Sequence, residues 1–319
     1  MQQALTQADY ASSVIAVPPI ALNTDYSVNA GANEAIIKHI EGGGVDILLY
    51  GGNANLYHFS LEDYRSAMRS IKAAAAPTTH LITSIGPDFG KAMAQAPIAR
   101  DLGFKNVMVL PTNFPADPAG VANGVRKLAD AFGTGLILYL KREHYADPDE
   151  LAKLVAEKAV SFVKYAVEKS DASKDPYLDA VLSAIGTDHL ASGMGETPIH
   201  DHLGLRKLTT YTSGAVCIAP VAASELLTLY KTGRAAEALE LSRAFLEFEK
   251  IRLDLGGLQV LHDGLRLSKI ADTGPLMPMV SNLPVEKLEP VQAAVDALKV
   301  AENQAISRVS TLKKRMAGQ

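Results

Sequence analysis

Short apolar runs rich in β-branched residues recur along the chain, separated by longer stretches in which apolar positions return every three or four residues. The runs are SVIAV at 13–17, VDILLYG at 45–51, HLITSIG at 80–86 and NVMVLP at 106–111. Four more follow: GLILYLK at 135–141, VSFVKYA at 160–166, DHLASGM at 188–194 and TTYTSGA at 209–215. Runs of this kind predict strands, and the stretches between them predict amphipathic helices. The clearest helices are SLEDYRSAMRSIKAAA at 60–75, PAGVANGVRKLADAF at 118–132 and DPDELAKLVAEKA at 147–159. The last opens with Asp147 before Pro148 and carries Glu150 three residues on, as a capping box does.

Eight strands recurring roughly every 25–35 residues, with helices between, predict repeated right-handed βα units. Eight units favour closure into an α/β (β/α)8 TIM barrel; an open doubly wound sheet is the alternative. No G-x-G-x-x-G follows the first strand, so the dinucleotide-binding form of the open sheet has little support. After the eighth strand come AASELLTLYKTG, AAEALELSRAFLEFEKIRLDLG and a basic-ended terminal helix from about Val285 to Met316. The expected organisation is a barrel over 1–222 and a C-terminal three-helix extension over 223–319 packed on it, since no low-complexity linker divides them.

Composition narrows the function. The chain has 319 residues, 48% apolar and 21% charged, which suits a globule with a sizeable core. A net charge of −4 argues against a nucleic-acid groove. The single cysteine, Cys217, rules out an intramolecular disulfide and sits in the apolar run AVCIAP, where a core role is favoured. The opening MQQALTQADYASS lacks an export signal, and no apolar stretch reaches the roughly 18 residues of a membrane span. A cytoplasmic protein with no membrane partner is the expectation.

In such a barrel, reactive groups gather at the C-terminal ends of strands and on the loops that follow. Lys164 lies in VSFVKYAV, sharing one strand face with Phe162 and Ala166. An amine on a buried strand loses its proton more readily, and a neutral amine attacks ketones. A lysine that snorkels to solvent or pairs with Glu168 is an equal alternative on this evidence alone. Tyr139, on the preceding strand, is placed to move protons beside that amine. Gly51 and Gly52 let the backbone turn close to a ligand, with Asn53 and Asn55 as neutral donors. Gly193 and Ser213, among Ser192, Gly195, Thr212 and Gly214, mark the ends of strands seven and eight, where barrels commonly face anions. Thr83 and Ser84 on strand three could reach the lumen. His200-Asp201-His202 has the H-x-H spacing of a metal pair, but no set of carboxylates or histidines nearby completes a site, and a polar loop is favoured.

The glycine turn after strand two, the tyrosine on strand five and the lysine on strand six occur in an order that resembles the dihydrodipicolinate synthase/N-acetylneuraminate lyase family. The resemblance spans nearly the whole chain, from PPIALNTDYSVN to the C-terminal helices. It implies a barrel with a three-helix extension, usually a homotetramer, that forms a Schiff base with pyruvate or another 2-oxo acid and needs no cofactor. On that resemblance Lys164 is the imine-forming lysine and Tyr139 the catalytic tyrosine. The family's G-T-T-G-E turn falls on Gly51, Gly52, Asn53, Ala54 and Asn55, without either threonine or the glutamate. Its tyrosine pair after strand four reads Thr112-Asn113, and its Y-N-x-P reads Tyr139-Leu140-Lys141-Arg142. The arginine that some members use for a second substrate's carboxylate falls near His144, with Arg142 or Lys141 as substitutes. These departures favour an aldolase, lyase or dehydratase on another 2-oxo acid over dihydrodipicolinate synthase proper. Two other classes stand beside it: a metal-dependent barrel hydrolase using His200 and His202, and a non-catalytic oxo-acid-binding protein. A homodimer or homotetramer acting on a small molecule is expected.

Overall fold

In the computed structural model, which describes residues 3–317, all eight predicted strands form. A short helix α1 (Gln7–Ser12) precedes β1 (Ile15–Ala16). The alternation then runs α2 (Ala30–Gly42), β2 (Ile47–Leu49), α3 (Leu61–Ala74), β3 (His80–Ile85), α4 (Phe89–Asp101), β4 (Asn106–Val109) and α5 (Pro118–Phe132). It continues with β5 (Leu136–Leu140), α6 (Pro148–Ala156), β6 (Val160–Tyr165), α7 (Pro176–Ile185), β7 (Leu190–Ser192), β8 (Thr212–Ser213) and α8 (Pro220–Lys231). All pairings are parallel in the order β7-β6-β5-β4-β3-β2-β1-β8, and a bridge between Ser192 and Tyr211 joins the two ends. The barrel is thereby nearly closed, with the helices outside.

The helix starts are written locally. Asp117 and Asp147 accept hydrogen bonds from first-turn amides at α5 and α6, each followed by proline at the first helical position, where no amide is needed. Asp175 does the same for α7. Between β7 and β8 the chain makes a wide π-helical turn, His200–Leu205, in place of an α-helix. This is where His200-Asp201-His202 falls.

Alternation along β6 fixes which end is which. Phe162 faces inward near the N-terminal end and stacks on Tyr10 of α1, ring centroids 3.7 Å apart and planes 6° from parallel. Leu5 donates its amide to Asn106 Oδ1 at the start of β4, so α1 plugs the barrel floor. An aromatic pair of this kind is worth about 0.5–1.5 kcal/mol beyond its buried area. The other end is left for chemistry.

Three helices form the extension: α9 (Ala235–Leu255), α10 (Gly257–Leu267) and α11 (Leu288–Ala317). The sequence pattern takes α8 as the first of the three and passes over α10. In the fold α8 closes the eighth βα unit, while Gly256, at φ +110°, ends α9 where the sequence pattern ends it and a further helix, α10, follows at once. Val260, Leu261 and Leu265 of α10 are buried. Among the described residues no helix is long and apolar enough to cross a membrane.

Candidate active site

Strands β5 and β6 pair with Tyr139 opposite Lys164. Tyr165, the next residue, points outward: its hydroxyl donates to Asp175 Oδ2 at 2.7 Å, at the start of α7. Lys164 therefore faces the lumen. It is 7% exposed, and among the described residues no carboxylate, Glu168 included, lies within ion-pair distance of it. Its Nζ stands 3.8 Å from the centroid of the Tyr139 ring. Burial foremost, then the like charges of Lys141 and Arg252, brings its pKa down to about 7. Roughly half of the Lys164 amine is then neutral at neutral pH. Burial likewise raises the Tyr139 phenol above its ordinary value, so it stays protonated and able to donate.

Beyond the C-terminal ends of β3–β5 lies a cavity of about 480 Å³, whose lining includes the residues that follow Tyr139 but neither Tyr139 nor Lys164 itself. Its walls include Tyr57, Asp88, Thr112, Asn113, Lys141 and Arg142. Of the predicted substrate contacts, the structure brings Thr112, Asn113 and Arg142 to this cavity. Thr112 is held from two sides, its amide donating to Tyr145 Oη at 3.1 Å and its hydroxyl to Pro87 O. Arg142 Nη1 donates to the carbonyls of Thr112 and Asn113 at 2.7 and 2.9 Å, and its guanidinium lies 4.7 Å from the Tyr145 ring centroid. It clamps the loop after β4. Lys141, beside it, has no hydrogen bond or ion pair among the described residues.

The remaining predicted contacts sit elsewhere. His144, in the left-handed region at φ +56°, leans its ring toward Tyr177 of α7, centroids 5.4 Å apart. Gly51 makes room inside the barrel: a Cβ there would meet Met108 Cε and Ser84 Oγ at 2.9 Å. Ser84 does face inward, whereas the Thr83 hydroxyl is 2.9 Å from Tyr64 Oη on α3, outside the barrel. Beyond Gly52, Asn53 donates from Nδ2 to Val17 O at 2.8 Å and accepts from Arg252 Nη2 at 3.2 Å. Asn55, buried at φ +52°, donates to Met277 O at 3.4 Å. Both asparagines thus tie the turn to β1 and the extension, and the side chain this turn sends to the cavity is Tyr57. Lys91 of α4 holds Tyr57 in place by donating to the carbonyls of Leu56 and Tyr57 at 3.3 and 2.7 Å.

At the ends of β7 and β8, Gly193 and Ser213 shape the barrel rim. The Gly193 amide donates to Tyr165 O at 2.6 Å, and a Cβ on Gly193 would stand 2.5 Å from that oxygen. Since a backbone atom cannot step aside, Gly193→Ala is expected to lower stability by about 1–3 kcal/mol, read by urea unfolding. A loss under about 0.5 kcal/mol would mean β7 can shift after all. Ser213 Oγ donates to Glu196 Oε1 at 2.7 Å and accepts from the Val216 amide at 2.9 Å.

Glu196 opens a cluster that pattern reasoning passes over. It is fully buried beside Glu249 and Arg252 of α9, and Arg252 Nη1 donates to Glu249 Oε1 at 2.7 Å. Burial, then the charge of Glu249, raises the Glu196 carboxyl to about 8. The only sequence signal is the Glu249–Arg252 spacing on one helix face, which is ordinary for a surface pair. His200 and His202 diverge: His202 Nδ1 is 2.8 Å from Ser192 Oγ, while His200 lies 6.3 Å from the Tyr230 ring. Among the described residues no group of three or more His, Cys, Asp or Glu is arranged to hold a metal ion.

The chain is 26% identical over 280 residues to a "Probable 5-dehydro-4-deoxyglucarate dehydratase" of Chelativorans sp. (strain BNC1), covering 83% of this chain and 90% of the relative. A protein of the same name from Rhizobium meliloti (strain 1021) is 23% identical over 90% of this chain and 95% of its own. Among solved structures, dihydrodipicolinate synthase from Bacillus clausii superposes with a TM-score of 0.81 at 19% identity, covering 92% of this chain and 99% of that one. N-acetylneuraminate lyase from Fusobacterium nucleatum gives 0.76 at 18% identity, covering 91% and 99%. No protein-family profile matches the chain. The resemblance read from the sequence is thus borne out: the fold is shared with dihydrodipicolinate synthase and N-acetylneuraminate lyase, and the sequence relatives carry dehydratase names.

Proposed function

We propose that this chain, a barrel of the dihydrodipicolinate synthase/N-acetylneuraminate lyase superfamily, forms a Schiff base between Lys164 and a 2-oxo acid and dehydrates a hydroxylated substrate of the 5-dehydro-4-deoxyglucarate kind. The observation that carries this reading is the unpaired Lys164 amine, buried against the Tyr139 ring with its pKa near 7. The neutral amine adds to the keto carbon, giving a carbinolamine. Tyr139 donates a proton to the departing hydroxyl, which leaves as water, and nitrogen remains bonded to carbon as a cationic iminium. The iminium draws electrons from the neighbouring carbon, so a proton can leave there and a hydroxyl one carbon further can depart. The turn at Gly51 and Gly52 takes the substrate's 1-carboxylate through backbone amides, and Thr112 and Asn113 meet its hydroxyls.

Dehydration is preferred over carbon–carbon cleavage because the sequence relatives carry dehydratase names. Aldol chemistry on pyruvate is the second reading, supported by the same iminium and by structural neighbours such as N-acetylneuraminate lyase. Thr112-Asn113 in place of a tyrosine pair argues against dihydrodipicolinate synthesis. The proposal extends to a cytoplasmic homo-oligomer, dimer or tetramer, to be measured by light scattering.

The direct test is to incubate the protein with pyruvate or 5-dehydro-4-deoxyglucarate, add borohydride, and locate the adduct by peptide mass spectrometry. A reduced adduct on Lys164 and loss of water from the second compound are expected. An adduct on another lysine, or none, would sink the assignment; activity lost to chelators and indifferent to borohydride would favour the metal hydrolase instead.

A further inference from the structure

Tyr57 supplies the phenol of the cavity wall. It stands in a single helical turn, Leu56–His58, after the glycine turn, and Lys91 of α4 holds that turn by donating to the carbonyls of Leu56 and Tyr57. The half-buried ring lines the cavity together with Thr112, Asn113 and Arg142. Its hydroxyl reaches back over the glycine turn: a Cβ on Gly52 would stand 4.0 Å from Tyr57 Oη. Among the described residues that hydroxyl has no hydrogen-bond partner. Tyr139 is the group whose charge bears on it, and burial keeps the Tyr57 phenol protonated. The other proton-bearing groups of the wall are committed or turned to solvent. The Thr112 hydroxyl donates to Pro87 O, and Arg142, which does not give up a proton in a protein, donates to the carbonyls of Thr112 and Asn113. Asp88, as a carboxylate, only accepts, and Lys141 is exposed.

We infer that Tyr57 is the acid of the dehydration itself: its phenol gives the proton on which the substrate's own hydroxyl departs, while Tyr139 works at the keto carbon and its neighbour. The inference rests on the reading of Lys164 as the imine-forming residue and of the reaction as a dehydration. Loss of water from the carbinolamine leaves Tyr139 a phenolate beside the cationic iminium. That phenolate takes the proton from the adjacent carbon, which gives a neutral enamine and restores the Tyr139 hydroxyl. The hydroxyl one carbon further must then leave as water, because hydroxide is a poor leaving group without a proton. Tyr139 has no surface on the cavity into which the rest of the substrate extends, whereas Tyr57 has. Tyr57 donates, the carbon–oxygen bond breaks, and the enamine electrons shift to form a conjugated iminium, leaving Tyr57 a phenolate. The water that next adds to the iminium carbon gives its proton to Tyr57. Collapse of the new carbinolamine then frees the neutral Lys164 amine, and all three groups are back where they began.

The test follows three steps in wild type, Tyr57→Phe and Lys141→Met: borohydride trapping of pyruvate, exchange of pyruvate's methyl protons in deuterated water, and loss of water from 5-dehydro-4-deoxyglucarate. Tyr57→Phe should trap and exchange pyruvate at the wild-type rate, since imine and enamine formation need only Lys164 and Tyr139. It should dehydrate more slowly by a factor on the order of 10²–10⁴, the range carried by a general acid. Borohydride added during that slow reaction should find Lys164 bearing the compound with its hydroxyl still in place, one water heavier than the product adduct. Phenylalanine keeps the ring, so the loss belongs to the hydroxyl. A tyrosine that merely shapes the turn at Gly51 and Gly52 would slow trapping and exchange along with dehydration, and that result overturns the inference. So does dehydration at the wild-type rate in Tyr57→Phe; if Lys141→Met alone stops at the hydroxylated adduct, the proton comes from the ammonium instead. Wild type that forms an adduct but leaves the compound intact removes the dehydration reading and this inference, with Lys164 retained. Absence of any adduct removes the Lys164 assignment as well.

Discussion

Lys164→Met is expected to lose the borohydride-trapped adduct and to lower turnover by a factor on the order of 10⁴ or more, the scale seen when a covalent nucleophile is removed. It should also melt higher than wild type at neutral pH. The reason lies in the burial that makes the amine useful. The Lys164 pKa falls from 10.5 to about 7 on folding, chiefly because burial disfavours its charged form. A depressed lysine means that the folded state binds fewer protons than the unfolded chain between those two values. Stability therefore rises with pH from about 7 to 10.5, at up to about 1.4 kcal/mol per pH unit. At and below pH 7 the folded protein carries the whole penalty. Methionine keeps the volume and removes the charge, so its gain should be a few kcal/mol at pH 7 and shrink as pH approaches 10.5. Thermal unfolding of both proteins across this range checks it. A variant that is inactive but no more stable than wild type would mean the lysine is not paying for burial at all.

Much of the fold could be read from the chain because its signals are local. Each strand announces itself by a run such as GLILYLK or VSFVKYA, and α5 and α6 by an aspartate followed by proline at their starts. Alternation along VSFVKYA sends Lys164 and Phe162 to one face, and the structure puts one above the other in the lumen. What could not be read depends on atoms meeting across long separations. From the sequence Asn53 reads as a ligand donor, yet its side chain is engaged by Val17 and by Arg252, which lies on a helix of the extension. Asn55 is drawn to Met277 for the same reason. No spacing in the turn itself could reveal that, since an asparagine in a Gly-Asn turn looks alike whether it faces a cavity or another element. Arg142 and Lys141 are adjacent basic residues with equal claims from sequence. Only the position of the Thr112 and Asn113 carbonyls separates a loop clamp from a free charge.

The cluster of Glu196, Glu249 and Arg252 supplies the largest effect expected away from the reacting atoms. Glu249 is 8% exposed and Arg252 13% at the side chain, and Arg252 also donates to Asn53 Oδ1 and to Gly257 O at 3.0 Å. The surroundings leave no slack: a Cβ on Gly195 would stand 2.9 Å from the Glu249 carboxyl carbon, and one on Gly214 3.0 Å from Arg252 Nη1. Arg252→Met would leave Glu249 buried without its counter-charge, and the expected loss is about 3–5 kcal/mol, measured by chemical unfolding. Arg252→Met combined with Glu249→Met should recover most of that loss, since a missing pair is tolerated far better than half of one. Additive losses in the double variant would mean the two groups do not depend on each other. Glu196 gives the cluster a pH signature of the opposite sign to that of Lys164. Burial first, and Glu249 second, raise its carboxyl from 4.5 to about 8, while Oε2 has no partner among the described residues. The folded state then holds a proton that the unfolded chain has released between those values, so this group lowers stability as pH rises from about 4.5 to 8. Glu196→Gln keeps the neutral shape and removes that dependence, and its advantage over wild type should grow across the interval. If the two melting curves stay parallel from pH 5 to 8, Glu196 is ionised in the folded protein and Arg252 is compensating two carboxylates at once.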